Sequence, residues 1–420
     1  LEPTPVEPVE IAAVAVEMTD LAAEMAPSAA SLQTLSSMSM AALGSRTSDM
    51  KKKLLRDYGG TESSEAAVTR ALKWLSRHQM PNGSWTFQHN LVCKNACGNP
   101  GEPNRAKAFN AATSLALLPF MGAGQTHTQG EFKEVVFRGL RFLIQNGKPG
   151  KKGGMPVLDL SEGAGNMYSH GLAAITLCEA FAMTEDPELA VPAQGALNFI
   201  TYAQCRDGGW RYRPQQPDGG DTSVTGWQIM ALKSARDAGL GANERTINAA
   251  QVFLDSVQVG AEGDPRYGMV GTSYAYQPNK RKVSNATTAI GLACRIYTGT
   301  SPLHPGMEIA VKRIAAHGPI RGNMYYNLYA NQVVFQHGGA EWDSWNQQLN
   351  QALAESQSVR GHMEGSWYFG HGDHGGRAGG RLYATAMACL CLEESFRHLP
   401  IFRNESRLRV IERLSAAANE

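Results

Sequence analysis

The stretch "RALKWLSRHQMPNGSW", residues 70–85, decides the fold. It begins as an amphipathic helix and ends in a polar turn that contains Gly83 and Trp85. The stretch "QGALNFITYAQCRDGGW" at 194–210 has nearly the same order of residues, and "QSVRGHMEGSW" at 357–367 is a longer version. Glycine in such a turn permits a positive φ. The recurrence of a helix followed by this turn predicts a repeat architecture.

The repeats continue around these stretches as six helical pairs, each an amphipathic helix followed by a more apolar one. The second helices are apolar on nearly all sides, as in "AATSLALL" at 111–118 and "YATAMACLCL" at 383–392. A helix of that kind has to be buried on all sides. We therefore predict an all-α (α/α)6 toroid of six helical hairpins over residues 61–400, with inner and outer helix layers. Residues 1–60 are predicted to form a low-complexity Pro/Ala/Ser-rich linker or arm, and 401–420 a C-terminal tail.

The charge and hydropathy of the chain argue against two classes of partner. The 39 basic and 38 acidic residues nearly cancel, and no dense basic run could follow a phosphate backbone, so we expect no nucleic acid partner. No apolar run reaches the roughly 20 residues that a membrane span needs. Because the chain starts at Leu1, we expect a processed or truncated form, with membrane association only through an upstream anchor. The sequence specifies no protein partner.

The seven cysteines are an odd number and too few for a disulfide scaffold. Cys93 and Cys97, in "LVCKNACGNPG", lie in a polar loop four residues apart. We favour a local disulfide in an oxidising compartment over free thiols. Half of a metal site is the third interpretation, because no second cysteine pair completes it. Four other cysteines fall in apolar helical patterns and are predicted to be small buried hydrophobes: Cys178, Cys294, Cys389 and Cys391.

The three stretches match the QW repeat of squalene and oxidosqualene cyclases. The chain resembles the terpenoid cyclase/protein prenyltransferase toroid superfamily over roughly residues 61–400, and more narrowly a bacterial branch with prenyltransferase and squalene oxidase repeats. The resemblance implies that the QW tryptophans are scaffold residues, with each indole N–H satisfied by the glutamine of its motif. The matching positions are Gln79, Gly83, Trp85, Gln204, Gly208, Trp210, Gln357, Gly365 and Trp367.

The stretch "QQPDGGDTSVTGWQIMAL", 215–232, places Asp221 where an inner helix begins. The resemblance implies an Asp-x-Asp-Asp motif there, whose third residue protonates the substrate in class II cyclases. In this chain that position is Gly220, while Asp218 and Asp221 keep the outer two positions. The resemblance therefore makes Asp221 and Asp218 the candidate catalytic residues. An aspartate before an apolar helix is also a good N-cap, and we favour that interpretation of Asp221.

The sequence predicts no cofactor and offers only weak metal ligands. Protein prenyltransferases, the other branch of the resemblance, bind zinc through an Asp-x-Cys pair and a distant histidine. Ser223 stands at the cysteine position, and a hydroxyl is a poor zinc ligand. His371, Asp373 and His374 are weak metal candidates, but a solvated polar turn is favoured there, because adjacent ligands do not easily converge on one ion.

Several side chains near the starts of the inner helices could line a central cavity. Aromatic rings stabilise cations and pack well against apolar ligands. The candidates for substrate binding are His170, Trp227, Tyr325, Tyr326, Tyr329, Arg381 and Tyr383. Core packing explains each of them singly, and a histidine satisfied by its neighbours is the favoured interpretation of His170.

Three functions follow as hypotheses. The first, ranked highest on the resemblance, is an isoprenoid- or terpenoid-related protein with an apolar small molecule in a central cavity. If it is an enzyme, Asp221 is the acid and Trp227, Tyr325 and Tyr329 stabilise the cation. The second is a non-enzymatic toroid scaffold that presents its rim to a protein or envelope partner.

The third hypothesis is a carbohydrate-active (α/α)6 enzyme. It needs two carboxylates about 5–10 Å apart, which Asp221 with Asp373 or Glu364 could supply. The form of the cavity separates the three hypotheses. A deep apolar tunnel favours the isoprenoid hypothesis, a polar cleft favours the carbohydrate hypothesis, and a barrel filled by side chains favours the scaffold. We expect the protein in the periplasm, or tethered to a membrane outside the cytoplasm.

Overall fold

The computed structural model describes residues 57–260, 271–302 and 304–398. Residues 1–56 of the predicted arm lie outside the described residues, and so does the whole of the predicted C-terminal tail, 401–420. None of the helices in the described part of the chain combines the length and apolar character that crossing a membrane requires.

Twelve α-helices in the described residues form two concentric layers, as the sequence predicts. The outer layer consists of α1 (Glu62–Arg77), α3 (Lys133–Asn146), α5 (Pro187–Ala203), α7 (Glu244–Val257), α9 (Pro305–His317) and α11 (Gly339–Ser356). The inner layer consists of α2 (Phe109–Gly122), α4 (Asn166–Thr184), α6 (Thr222–Asp237), α8 (Asn285–Tyr297), α10 (Met324–His337) and α12 (His374–Arg397). Each inner helix packs against the next, and α12 returns to pack against α2. The closed (α/α)6 toroid is thereby confirmed.

The apolar pattern of each helix explains its layer. In α2 every residue except Phe109 is buried, because the outer layer covers one side and the neighbouring inner helices cover the others. In α1 the buried residues form one stripe that includes Ala67, Ala71 and Leu75, while charged residues occupy the opposite face. Burial of the apolar stripe favours folding by about 25 cal/mol per Å². The outer helices therefore dock with a single orientation.

Two small antiparallel sheets lie in the loops between helices. In the first, β1 (Lys148–Lys152) pairs with β2 (Met155–Asp159) through a turn at Gly153 and Gly154, both with positive φ. In the second, β3 (Gln258–Val259), β4 (Ser273–Gln277) and β5 (Lys280–Val283) lie side by side. Neither sheet belongs to the helical layers. The Gly-Gly dipeptide is a hairpin signal that the sequence carries.

The Gln-Gly-Trp stretches join consecutive outer helices, by contacts that differ from those the resemblance implied. The Trp85 indole N–H donates at 2.8 Å to the Leu75 carbonyl in the last turn of α1, which also accepts from the His78 amide. The Gln79 amide donates to the carbonyls of Gly83 and of Val135 on α3, each at 2.9 Å. The expectation that the glutamine satisfies the tryptophan was wrong. The other two stretches repeat the arrangement. In the second, Gln204 donates to the Thr246 carbonyl and Trp210 to the Ile200 carbonyl. In the third, Gln357 donates to the Ala67 carbonyl and Trp367 to the Leu353 carbonyl.

Candidate functional site

The inner helices all begin at one end of the barrel, which we call the N-terminal mouth. Hydrogen bonds connect these helix starts across the barrel axis. Tyr325 at the start of α10 donates its hydroxyl to the Ser223 carbonyl of α6 at 2.9 Å, and Asp373 before α12 accepts from the Tyr325 amide at 3.0 Å. Ser223, Tyr325 and Asp373, which span 150 positions of the sequence, therefore lie together at the N-terminal mouth.

Asp221 is the N-cap of α6 and is fully buried. Its Oδ1 accepts from the amides of Ser223 and Val224 at 3.0 and 2.9 Å and from the Ser223 hydroxyl at 2.6 Å. Its Oδ2 has no hydrogen-bond partner among the residues that the structure describes. Burial raises the pKa of Asp221 above its ordinary value, and burial together with the Asp221 carboxylate raises the pKa of the nearby Tyr276. The carboxyl group thus combines a capping role with one buried oxygen that has no hydrogen bond within 3.5 Å in the described part of the chain, and the Tyr276 hydroxyl lies near the carboxylate.

Neither neighbour of Asp221 in the acid motif supplies a second buried acid. The Asp218 side chain is 76% exposed and lies 3.7 Å from Arg211. At Gly220 a Cβ atom would lie 2.6 Å from the Gly209 Cα, so the backbone occupies the space into which a side chain would project. Position 220 therefore cannot supply a proton donor, because glycine has no side chain and the neighbouring backbone leaves no space for one.

Aromatic rings fill the barrel axis next to Asp221. The ring centroids of Trp227, Tyr325 and Tyr329 lie 5.4 to 6.2 Å from one another, and Trp227 and Tyr329 are at most 3% exposed. Tyr383 points its hydroxyl toward Asp373 at 3.4 Å. The structure brings these four predicted residues together at the mouth. Their rings and hydroxyl groups pack together at the mouth.

Two further residues at the mouth were not singled out by the sequence analysis. The Tyr168 hydroxyl lies 2.7 Å from the Ser223 hydroxyl, next to Asp221. Glu162 precedes α4, accepts from the Ala111 amide at 3.2 Å and from the Ser169 hydroxyl at 2.8 Å, and has a pKa raised by burial. Glu162 caps a helix from a different segment of the chain, so no local pattern marks it.

Three residues predicted to bind substrate lie elsewhere. His170 bonds through both ring nitrogens, to the Leu160 amide at 3.1 Å and the Ala196 carbonyl at 3.0 Å, and burial lowers its pKa to about 4. Tyr326 packs its ring on His317 and Trp345 of the outer layer. Arg381 holds the loop that contains Asn99. Their polar or aromatic groups are turned away from the axis, because successive residues of a helix face different directions.

The predicted metal turn does not gather its ligands. His371 and His374 are exposed, whereas Asp373 is the N-cap of α12. The structure instead places the donor atoms of His78, Cys93, Cys97 and His362 within 4.8 Å of one another.

Both cysteines of that group are free thiols, so the expected disulfide between Cys93 and Cys97 was wrong. No second cysteine pair joins them, but two histidines supply the further donor atoms in the group.

An ion-pair network closes the opposite end of the barrel. Arg397 bonds both Glu179 carboxylate oxygens at 2.8 Å, lies 3.4 Å from Glu393 and donates to the Leu118 carbonyl at 2.8 Å. The charged side chains are at most 5% exposed. Between this network and Trp227 runs a narrow void of about 20 Å³, enough for one or two water molecules.

No protein-family model and no curated protein matches the chain. A glycoside hydrolase family 76 α-1,6-mannanase from Salegentibacter sp. aligns with a TM-score of 0.52 at 8% identity, over 80% of this chain and 99% of its own. A family 76 mannosidase from Bacteroides thetaiotaomicron gives 0.52 at 10% identity, over 82% and 100%. The type II terpene cyclase MstE from Scytonema gives 0.49 at 15% identity, over 80% and 98%. The likeness is one of fold. At these identities it does not extend to activity.

Asp221→Asn should leave the helix cap intact, because asparagine caps as well as aspartate. The raised pKa of Asp221 means that its contribution to stability is fully present below its ordinary pKa of 3.8 and is lost as the pH rises through the folded-state pKa. The variant therefore gains unfolding free energy over wild type as the pH rises above 3.8. Urea denaturation from pH 3 to 8 measures this. Asp218→Asn, at an exposed carboxylate, is the control, and parallel curves for Asp221→Asn and wild type would refute the expectation.

Proposed function

We propose that this toroid is a non-enzymatic scaffold that presents its rim to a protein or envelope partner. The observation that supports the proposal is the filled axis. Trp227, Tyr325 and Tyr329 occupy the barrel near the N-terminal mouth, and the Arg397 network occupies the other end. A polyprenyl chain in the axis would have to displace these packed side chains, and protein interiors are close-packed.

The acid motif adds a second argument against catalysis by alkene protonation. The donor position is Gly220, and the Asp221 oxygen Oδ1 is engaged in three hydrogen bonds of a helix cap. General acid catalysis needs a proton held within reach of a substrate atom. Within the part of the chain that the structure describes, the Trp227, Tyr325 and Tyr329 rings at the mouth leave no such position for a substrate.

Two of the three carboxylates named for the carbohydrate hypothesis are helix caps in the described residues. Asp221 is the buried cap of α6, Asp373 accepts from the Tyr325 amide and from its own helix start, and Glu364 is exposed. An inactive form of the Salegentibacter mannanase carries replacements of two adjacent aspartates. The present sequence of 420 residues contains no two adjacent aspartates.

An isoprenoid-related function is the second candidate, and one observation favours it. The unpaired Oδ2 of Asp221 lies in the same mouth as the Trp227, Tyr325 and Tyr329 rings. A buried acid beside aromatic faces is an arrangement that can protonate an alkene and stabilise the cation. This candidate requires the rings to move apart and admit a ligand.

One experiment separates the two candidates. Organic extracts of the purified protein are analysed by mass spectrometry, and the protein is then incubated with squalene and with prenyl diphosphates. The scaffold predicts no bound lipid and no turnover, for wild type, Asp221→Asn and the surface control Asp218→Asn alike. A co-purified isoprenoid, or turnover that Asp221→Asn abolishes and Asp218→Asn retains, would replace the scaffold by the second candidate.

Location outside the cytoplasm stays a prediction. It rested partly on a disulfide at Cys93 and Cys97, and the free thiols of both residues remove that support. The Pro-rich stretch at the start of the chain is the remaining sign in the residues themselves.

A further inference from the structure

Four side chains from distant parts of the sequence meet beside α1. His78 is the C-cap of α1, Cys93 and Cys97 lie in the loop that follows, and His362 lies in the short 3-10 turn Gly361–Met363. One donor atom from each lies within 4.8 Å of the donor atoms of the other three. We propose that this Cys2His2 cluster binds a zinc ion, which fastens the first repeat to the sixth where the ring closes.

Each histidine of the cluster places one ring nitrogen near the Cys97 sulfur. His78 Nδ1 donates to the Trp74 carbonyl oxygen at 2.7 Å, which leaves Nε2 with its lone pair 3.5 Å from the Cys97 sulfur. His362 Nδ1 lies 3.1 Å from the same sulfur. Metal-binding histidines commonly donate their second ring N–H to a backbone carbonyl, which fixes the tautomer and the ring orientation. His78 therefore already has the hydrogen bond that a bound metal requires.

The donor set and its spacing suit zinc. Zinc binds thiolates at about 2.3 Å and imidazole nitrogens at about 2.0–2.1 Å in a tetrahedron, so neighbouring donors lie about 3.3–3.8 Å apart. The two donor pairs around the Cys97 sulfur, at 3.1 and 3.5 Å, are close to that spacing. The other pairs, all within 4.8 Å, need movements of about 1 Å. On binding, each of the two thiols releases a proton, and the resulting thiolates neutralise the charge of the ion.

The loop that carries the cysteines is held by the start of α12. The Arg381 amide donates to the Asn99 carbonyl and its guanidinium donates to the Asn99 side chain, each at 2.9 Å. At Gly380, where φ is +58°, a Cβ atom would lie 2.5 Å from the Asn99 carbonyl oxygen. The close approach shows that the loop and α12 are packed backbone to backbone. Arg381 is thus a positioning residue for the cysteine loop.

Solvent reaches the cluster from one side. His362 is exposed and Cys93 is half-buried, whereas His78 and Cys97 are at most 2% exposed. An ion can therefore enter past His362 and be held against the buried pair. Exposure also makes His362 the ligand whose replacement disturbs packing least.

A bound ion would stabilise the closed ring. Cys97 and His362 are 265 positions apart in the chain. A clip between such distant residues removes conformational freedom from the unfolded chain, and binding to the folded state alone raises its stability by mass action. We therefore expect zinc to raise the melting temperature by several degrees, and chelation to reverse the change.

The test uses the full chain, purified without chelator and dialysed exhaustively before its metal content is measured. Wild type should retain about one zinc per chain, as a Cys2His2 site does. His362→Ala and Cys93→Ser should bind zinc at least about tenfold more weakly and lose the zinc-dependent rise in melting temperature. The control is His371→Ala, an exposed histidine of the turn before α12, which should keep the metal. Cobalt in place of zinc reports tetrahedral thiolate ligation by its absorption spectrum.

Three results would overturn the proposal. The first is the absence of stoichiometric zinc, both as isolated and after reduction and addition of one equivalent. The second is zinc that His362→Ala and Cys93→Ser retain with unchanged affinity. The third is a thiol titration of the denatured, unreduced protein in which two of the seven cysteines are missing and peptide mapping finds a Cys93–Cys97 disulfide.

Discussion

Gly208→Ala should lower the free energy of unfolding by about 2–5 kcal/mol, the sum of a strained backbone and an overfilled contact. Gly208 belongs to the second Gln-Gly-Trp stretch and has a φ of +86°, a region that side chains disfavour. Its added Cβ would overlap the carbonyl of Ala249 on α7. The neighbour is backbone of a packed helix and cannot rotate away. Chemical denaturation followed by circular dichroism measures the loss.

Gly153→Ala is the matched control for that substitution. Gly153 also has a positive φ, +53°, in the β1–β2 turn, but an added Cβ has nothing within 4 Å among the described residues. It should lose only the backbone strain, about 1–2 kcal/mol. Equal losses at the two glycines would mean that the close approach to α7 contributes nothing, and that the turn does not join the outer helices as described.

Arg397→Met should destabilise the protein by about 3–5 kcal/mol, because it leaves buried carboxylates without the guanidinium that compensates them. Arg397 and Glu179 are 4% and 5% exposed, and both oxygens of Glu179 accept from the guanidinium at 2.8 Å. Methionine matches much of the length of arginine and so limits the loss of packing. Urea denaturation at pH 7 measures the change.

The control for Arg397→Met is Arg377→Met, which breaks an ion pair with Glu102 at the surface. The Arg377 side chain is 67% exposed, and exposed pairs contribute about 0–1 kcal/mol. If the two variants lose the same stability, the Arg397 network is solvated and the barrel end is open. The difference between the two variants in lost unfolding free energy should become smaller at acid pH, because the buried carboxylates of Arg397→Met can take up protons there.

Helix positions and layers could be predicted from local pattern. The all-apolar "AATSLALL" implied burial on every side, and α2 is buried on every side. The cap at Asp221 was favoured from an aspartate before an apolar run, and its Oδ1 does accept the helix-start amides. These features depend on residues three or four positions apart, so the chain sequence specifies them directly.

Contacts between repeats could not be predicted in that way. The Trp85 indole bonds the Leu75 carbonyl and not its glutamine, because the angle between helix and turn decides which acceptor is near. Tyr326 lies one position after Tyr325 yet faces the outer layer, since a helix turns by about 100° per residue. From the sequence alone, both tyrosines were predicted to line one cavity.

Local periodicity was enough to predict the twelve helices of the described residues, their two layers and the cap at Asp221, because those properties arise from neighbours along the chain. Closure of the ring was needed to bring His362 to Cys97, Tyr325 to Asp373, and Arg397 to Glu179. Each of these contacts joins separate helical hairpins, and the partners are chosen by packing of whole helices. No spacing in the linear chain records that choice, so the cluster and the filled axis emerged only when the helices were assembled.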